Sequence, residues 1–143
     1  MISIEPALTT DRAAIEGLLE TDGLPLDGLE LALSTAVVAR DGIDLVGCAA
    51  VEPYGSVGLL RSVCVAPALR GAGWGRRLVD AAESMASSRG MTELYLLTET
   101  AVEWFPRLGY SPATRADVPA AVTASPEFTG ACPDSAAVFR KQI

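Results

Sequence analysis

The sequence predicts an α/β chain of the α+β kind: a mixed, mostly antiparallel central sheet of about six to seven strands flanked by helices. Three observations predict it. Short apolar runs separated by tight-turn residues fill the first half of the chain. One amphipathic stripe of helical period lies between Gly75 and Arg89. Half of the 143 residues are hydrophobic, enough to bury a proper core.

Residues 2–6 alternate as a short strand. Thr9, Thr10 and Asp11 offer an N-cap, after which Ile15, Leu18 and Leu19 recur at helical spacing up to Glu20. Gly23, Pro25 and Gly28 mark a loop, and Leu29 to Leu33 reads as a helical turn. Thr35 to Arg40 and Ile43 to Glu52 are strands joined by an Asp41-Gly42 hairpin turn. Pro53-Tyr54-Gly55-Ser56 turns again, and Val57 to Ala66 completes an antiparallel meander. In the helix from Gly75 to Arg89, Leu78, Val79, Ala82, Met85 and Ala86 share one face, and Gly90 stands where a helix stops. Glu93 to Leu97 is a strand, Ala101 to Leu108 a short helix with Pro106 inside it, and Tyr110 starts another strand. Asp117 to Ala124 reads as helical, Thr123 to Asp134 as a proline-bearing segment, and Val138 to Lys141 as a last strand. No repeat or linker divides residues 1–143, so a single domain is expected.

The formal net charge is −7, which disfavours nucleic-acid and anionic-membrane partners because both need a basic surface. There is no histidine, which excludes histidine triads and histidine zinc sites. Cys48, Cys64 and Cys132 have no paired spacing, so no metal site or disulfide framework is expected. The N-terminal residues carry no leader pattern and no window approaches a membrane span; the expectation is a cytoplasmic protein.

The most informative segment is Arg70-Gly71-Ala72-Gly73-Trp74-Gly75, between an apolar strand and the strongest helix. Glycines at a helix N-terminus bring backbone N–H groups close to an anion, and the helix dipole adds partial positive charge. Arg70, Arg76 and Arg77 cluster there in an otherwise acidic chain. A diphosphate is the ligand this pattern suits. The P-loop spacing GxxxxGK is absent, and the spacing GxGxG departs from the dinucleotide GxGxxG.

Val63-Cys64-Val65-Ala66-Pro67 followed by Arg70 to Gly75 resembles the acetyl-CoA signature of the GNAT N-acetyltransferases, and Ala101-Val102-Glu103-Trp104-Phe105-Pro106-Arg107-Leu108-Gly109-Tyr110 resembles that family's second signature. The resemblance implies the GNAT fold and acetyl-CoA as co-substrate. It implies that the backbone of Arg70, Gly71, Ala72, Gly73, Trp74, Gly75 and Arg76 cradles the diphosphate. Val63, Cys64 and Val65 would hydrogen-bond the pantetheine arm, and a bulge in their strand would aim an N–H at the thioester carbonyl. Thr98 takes the place of a frequent asparagine, either bonding the arm or capping the next turn. Phe105 occupies the place of the family's proton-donating tyrosine and has no proton to give, leaving water or Tyr110 to protonate the thiolate. Trp74 reads as an apolar anchor for the turn.

On the acceptor side, Glu52 is the candidate base for the attacking amine. A hairpin closing over Tyr54-Gly55 puts Glu52 opposite Val57 and on one face with Arg61. Arg61 is then a candidate clamp for a substrate carboxylate, with Glu99 beside it, while the plain alternative is a structural Glu52–Arg61 pair. The run Leu59 to Val63, the run Tyr95 to Ala101 and the tail Phe128 to Ser135 resemble small acetyltransferases associated with arsenic resistance. That implies a small amine acceptor, an amino-acid-like toxin carrying a carboxylate, attacked directly in a ternary complex. A catalytically idle acyl-CoA-binding module and a protein or peptide N-acetyltransferase are the competing readings. Exposed strands near the C-terminus leave a homodimer open.

Overall fold

The computed structural model describes all 143 residues. One seven-stranded sheet organises them, with strands β1 (Ile2–Pro6), β2 (Ala36–Asp41), β3 (Asp44–Tyr54), β4 (Val57–Val65), β5 (Glu93–Thr98), β6 (Ser111–Ala113) and β7 (Ala137–Gln142) in the order β1-β2-β3-β4-β5-β7-β6. All neighbours are antiparallel except β4 and β5, which run parallel. The helix α2 (Trp74–Ser88) is the crossover between these two, as a parallel pair requires.

Alternation sorts the strand residues onto two faces. Val37, Ala39, Ala49, Val51, Leu60, Leu94 and Leu96 point to one face, where Leu78, Val79, Ala82 and Ala86 of α2 cover them. Val38, Cys48 and Cys64 point to the other, under Ile15 and Leu19 of α1 (Arg12–Thr21). Farther along that sheet, Leu59, Tyr95 and Val138 pack with Val122 of α3 (Ala120–Thr123). A fully buried leucine such as Leu60 or Leu78 contributes about 1.5–3 kcal/mol. The close approach of α2 is fixed by Gly47, where a Cβ would stand 2.8 Å from Leu78 Cδ1.

Three local expectations change. The expected helix from Ala101 to Leu108 is only a 3-10 turn over Phe105–Leu108, because Pro106 fits a first turn and nothing longer. Asp117 to Ala124 keeps one helical turn, α3, which begins only after Pro119. The β3–β4 hairpin turns at Gly55-Ser56, with Tyr54 paired to Val57, so Glu52 faces Leu59 rather than Val57. Arg61, opposite Ala50, still shares the face of Glu52.

Candidate active site

β4 and β5 pair only at Val57–Leu59 with Glu93–Tyr95. Beyond that point they separate, and the gap opens into a cleft of about 840 Å³. One wall is Leu60 to Val65 of β4; the other is Leu96 to Thr98 of β5 with Glu99 and Thr100. The glycine turn before α2 also lines the cleft, as do residues 22–25, which start beside Arg70, and Glu127 and Cys132. No helix is long and apolar enough to cross a membrane.

Two backbone features face this space. First, β4 carries a bulge: its register against β3 slips between Ala50↔Arg61 and Cys48↔Cys64. Ser62 within it has a positive φ of 58°, the single non-glycine residue of that kind. A β-branched or bulky residue would be strained there. The slip turns backbone groups of β4 out of the ladder at the wall of the cleft. Second, Gly71 and Gly73 adopt φ of 83° and 87°, which favours residues without a Cβ. The first bond of α2 runs from Arg77 N–H to Gly73 O, so the N–H groups of Trp74, Gly75 and Arg76 have no backbone acceptor. Gly75 has a further role, because a Cβ there would lie 3.1 Å from the Trp104 ring.

The arginines of the turn are held apart from one another. Arg70 donates from Nε to Val65 O at 3.1 Å and from Nη2 to Asp22 Oδ1 at 2.7 Å, bridging the turn to the end of α1. Arg76 donates to Arg107 O at 3.3 Å. Arg77 stacks on Trp74, its guanidinium 4.9 Å from the ring centroid. Trp74 itself is half-buried and lines the cleft, more exposed than a core anchor. Val63 and Val65 are half-buried in the cleft wall, while the Ala72 side chain is exposed. Thr98 Oγ1 accepts from Ala101 N–H at 3.1 Å, the capping arrangement.

The acceptor end corrects two expectations. Arg61 is not free to hold a carboxylate: its side chain has no exposed surface. Nη1 donates to Asp27 O at 2.5 Å and to Glu52 Oε2 at 2.7 Å. Nη2 donates to Pro25 O at 3.1 Å, and Nε to Ser62 Oγ at 3.1 Å. Glu127 Oε2 stands 3.3 Å from the same Nε. Nor is Glu52 free to meet an amine. It is fully buried, absent from the cleft lining, and its second oxygen accepts from Tyr54 Oη at 2.5 Å. The expected acid and guanidinium do share a face, but they bind each other. Glu99 is exposed at the cleft wall.

Tyr110 is likewise turned away. It is buried outside the cleft and donates to Glu83 Oε2 at 2.8 Å, with its hydroxyl pushed well above the ordinary range by burial and by that carboxylate. Phe105 packs edge-on between Trp104 and Tyr110, at centroid distances of 4.9 and 5.6 Å. Burial raises the Cys64 thiol to about 11 and the Cys132 thiol to about 12, so neither cleft cysteine is a ready nucleophile.

Ser62 and Glu127 are cleft residues that the amino-acid sequence alone does not mark out. Ser62 had no signal beyond a serine in an apolar strand. Glu127 sits on a turn over Glu127–Ala131 and is 4% exposed at the cleft. Burial raises its carboxyl to about 7, against a smaller lowering by Arg61. Its one signal was an acid inside the Ser125-Pro126-Glu127-Phe128 run, which no local rule distinguishes from a loop charge.

Comparison with known proteins adds a family and relatives. The family model for an acetyltransferase (GNAT) domain matches residues 32–112. An amino-acid acetyltransferase of Ralstonia nicotianae is 38% identical over 86 residues, 59% of this chain and 19% of the relative. One from Pasteurella multocida is 33% identical over 85 residues, again matching 19% of the relative. This chain therefore spans about a fifth of the length of those curated relatives. Among solved structures, N-acetylglutamate synthase from Neisseria gonorrhoeae, complexed with coenzyme A and N-acetyl-glutamate, superposes with a TM-score of 0.84 at 24% identity, over 99% of this chain and 35% of that one. Rv2747 from Mycobacterium tuberculosis, in complex with CoA, gives 0.81 at 24% identity over 99% of both chains. At those identities the structural likeness concerns the fold.

Proposed function

This chain belongs to the GNAT acetyltransferase family, and from that premise we propose that it moves the acetyl group of acetyl-CoA to the amine of a small amino acid bearing a second acidic group, by direct attack in a ternary complex. The observation that carries the reading is the cleft between splayed β4 and β5, with the bulge at Ser62 on its wall and the glycine turn in its lining. The residues fit the group. The unpartnered N–H groups of Trp74, Gly75 and Arg76 suit a diphosphate, and the strand edge from Val63 to Val65 suits an amide-bearing arm. Gly71 and Gly73 keep that approach free of large side chains, and Arg70 and Arg76 border it. The bound thioester supplies an activated acetyl group. A backbone N–H released from the ladder by the bulge would meet the oxygen on which charge develops, an interaction that grows in the transition state.

The acceptor class draws on the amino-acid acetyltransferases among the relatives. Within it, the resemblance of Leu59 to Val63, Tyr95 to Ala101 and Phe128 to Ser135 to arsenic-resistance enzymes puts toxins of the phosphinothricin type beside common acidic amino acids. Arg61 serves as a positioning residue, tying β4 to the 25–27 loop and to Glu127, and Glu52 holds Arg61 from behind.

The test is thiol release from acetyl-CoA against a panel of L-glutamate, L-aspartate, phosphinothricin, neutral amino acids and alkylamines, with CoA binding followed by calorimetry. Saturable release with an acidic amino acid is expected. Tight CoA binding with no release for any amine contradicts the reading and leaves a binding module or a protein acceptor.

A further inference from the structure

Direct transfer needs a place for the ammonium proton, and the side chains around the cleft narrow the choice. Glu52 is sealed behind Arg61. Phe105 has no titratable group, and the Tyr110 hydroxyl is committed to Glu83. Glu99 is an exposed carboxylate at the outer wall, in water. Asp22 is engaged by Arg70. Glu127 is the acid that both lines the cleft and is shielded from bulk solvent.

Its position is tied to the reacting end. The Arg61 Nε–H reaches Ser62 Oγ at 3.1 Å and lies 3.3 Å from Glu127 Oε2, so the carboxylate sits beside the bulge residue. Cys132 Sγ donates to Glu127 Oε1 across 3.7 Å. Gly28 secures the arrangement from above: a Cβ there would stand 2.7 Å from Pro126 Cγ and 3.1 Å from Arg61 Nη1.

We propose that Glu127 is the catalytic base, taking the proton of the acceptor ammonium in the cleft beside the Ser62 bulge; this rests on the acetyltransferase reading above. The ammonium gives one proton to the Glu127 carboxylate. The nitrogen lone pair forms the C–N bond at the acetyl carbonyl carbon, and the C–S bond breaks. The second nitrogen proton passes to the departing thiolate, giving the thiol, and Glu127 returns its proton to solvent. Three charged or titratable groups face Glu127: Arg61 of β4, Glu52 of β3, and Cys132, the residue that follows its own turn. Burial and Glu52 together outweigh Arg61, so its carboxyl titrates near 7, where a base exchanges protons readily.

The experiment compares wild type with Glu127→Gln, using L-glutamate and aminooxyacetate as acceptors. The nitrogen of aminooxyacetate is already unprotonated near neutral pH and needs no base. With L-glutamate, wild-type kcat rises with pH through about 7, and with aminooxyacetate that rise disappears. E127Q loses roughly a hundredfold or more in kcat with L-glutamate, recovers most of it with aminooxyacetate, and binds CoA as before. Equal losses with both acceptors, or turnover within about threefold of wild type with the pH rise intact, overturn the assignment. Should E127Q not fold, the wild-type comparison decides, because a rise that persists with aminooxyacetate also overturns it. Wild-type thiol release separates the two ideas. Its absence with every acceptor overturns the acetyltransferase reading, whereas its presence with an unaffected E127Q overturns only the role of Glu127.

Discussion

Two arginines in this molecule each hold two carboxylates, with opposite electrostatic results. Arg40 on β2 pairs with Glu5 of edge strand β1 at 2.5 Å and with Asp11, which also accepts from Leu8 N–H at 2.7 Å. Its side chain keeps 17% of its surface, and that of Glu5 keeps 43%. Asp11 is held below its ordinary value, chiefly by the Arg40 hydrogen bonds. Arg61 pairs with Glu52 and stands beside Glu127, with side chains 0%, 0% and 5% exposed. There one carboxyl is raised instead of lowered. One guanidinium offsets the loss of water for two carboxylates only where water still reaches the cluster. The first cluster is a clasp between strand and turn. The second is a reservoir for a proton, set at the wall of a cleft.

The largest effect is expected from removing the buried cation. Arg61→Met leaves two buried carboxylates unpaired and should cost about 3–5 kcal/mol in a denaturant titration. A loss under about 1 kcal/mol means the cluster is not needed for folding. Gly28→Ala attacks the same cluster through the backbone. Gly28 has φ of 78° and no room for a Cβ, so a loss of about 1–3 kcal/mol is expected, together with weaker activity. Removing the clasp should matter less: about 1–2 kcal/mol for Arg40→Met, with CoA binding unchanged.

The pH dependence sharpens the contrast by sign. The Asp11 carboxyl is depressed below 3.8 in the folded state, so its contribution is present above that value and is lost as pH falls through the depressed one. Glu127 is raised from 4.5 to about 7, so the folded state binds its proton more tightly. Its contribution is greatest below 4.5 and declines as pH rises to about 7. Melting temperatures of Asp11→Asn and Glu127→Gln, each subtracted from wild type across pH, should therefore slope in opposite directions. Slopes of the same sign would remove the distinction. The smallest change is expected from Thr98→Val, which loses only the cap on Ala101 N–H: about 0.5–1 kcal/mol, with little change in CoA affinity. A tenfold or larger weakening of CoA binding there points to a direct contact.

How much of this was legible in the chain follows from how each end of the cleft is made. The cofactor end is built from contiguous backbone: the strand Val63 to Val65, the turn Arg70 to Gly75 and the helix after it. Such a site is written as spacing, and glycines at positive φ leave a readable trace. The pairing of Glu52 and Arg61 on one face also followed from strand alternation, although the turn fell one residue later than expected. Alternation cannot say whether two such residues reach into a cleft or grip each other. That depends on the 25–27 loop and the Glu127 turn arriving from distant sequence to close over them. Glu127 gained its character from burial, which no neighbouring residue announces. Pro106 and Pro119 shortened two expected helices by a rule that is readable in the chain, since a proline fits only the first turn.

The measurement that bears most directly on the central claim is steady-state thiol release with acetyl-CoA varied at several fixed concentrations of the best acceptor in the panel. Direct transfer within the cleft predicts acceptor-dependent release with intersecting reciprocal plots and no acetylated protein. Parallel plots with acetate covalently held by the chain, or release that ignores the acceptor, would contradict it.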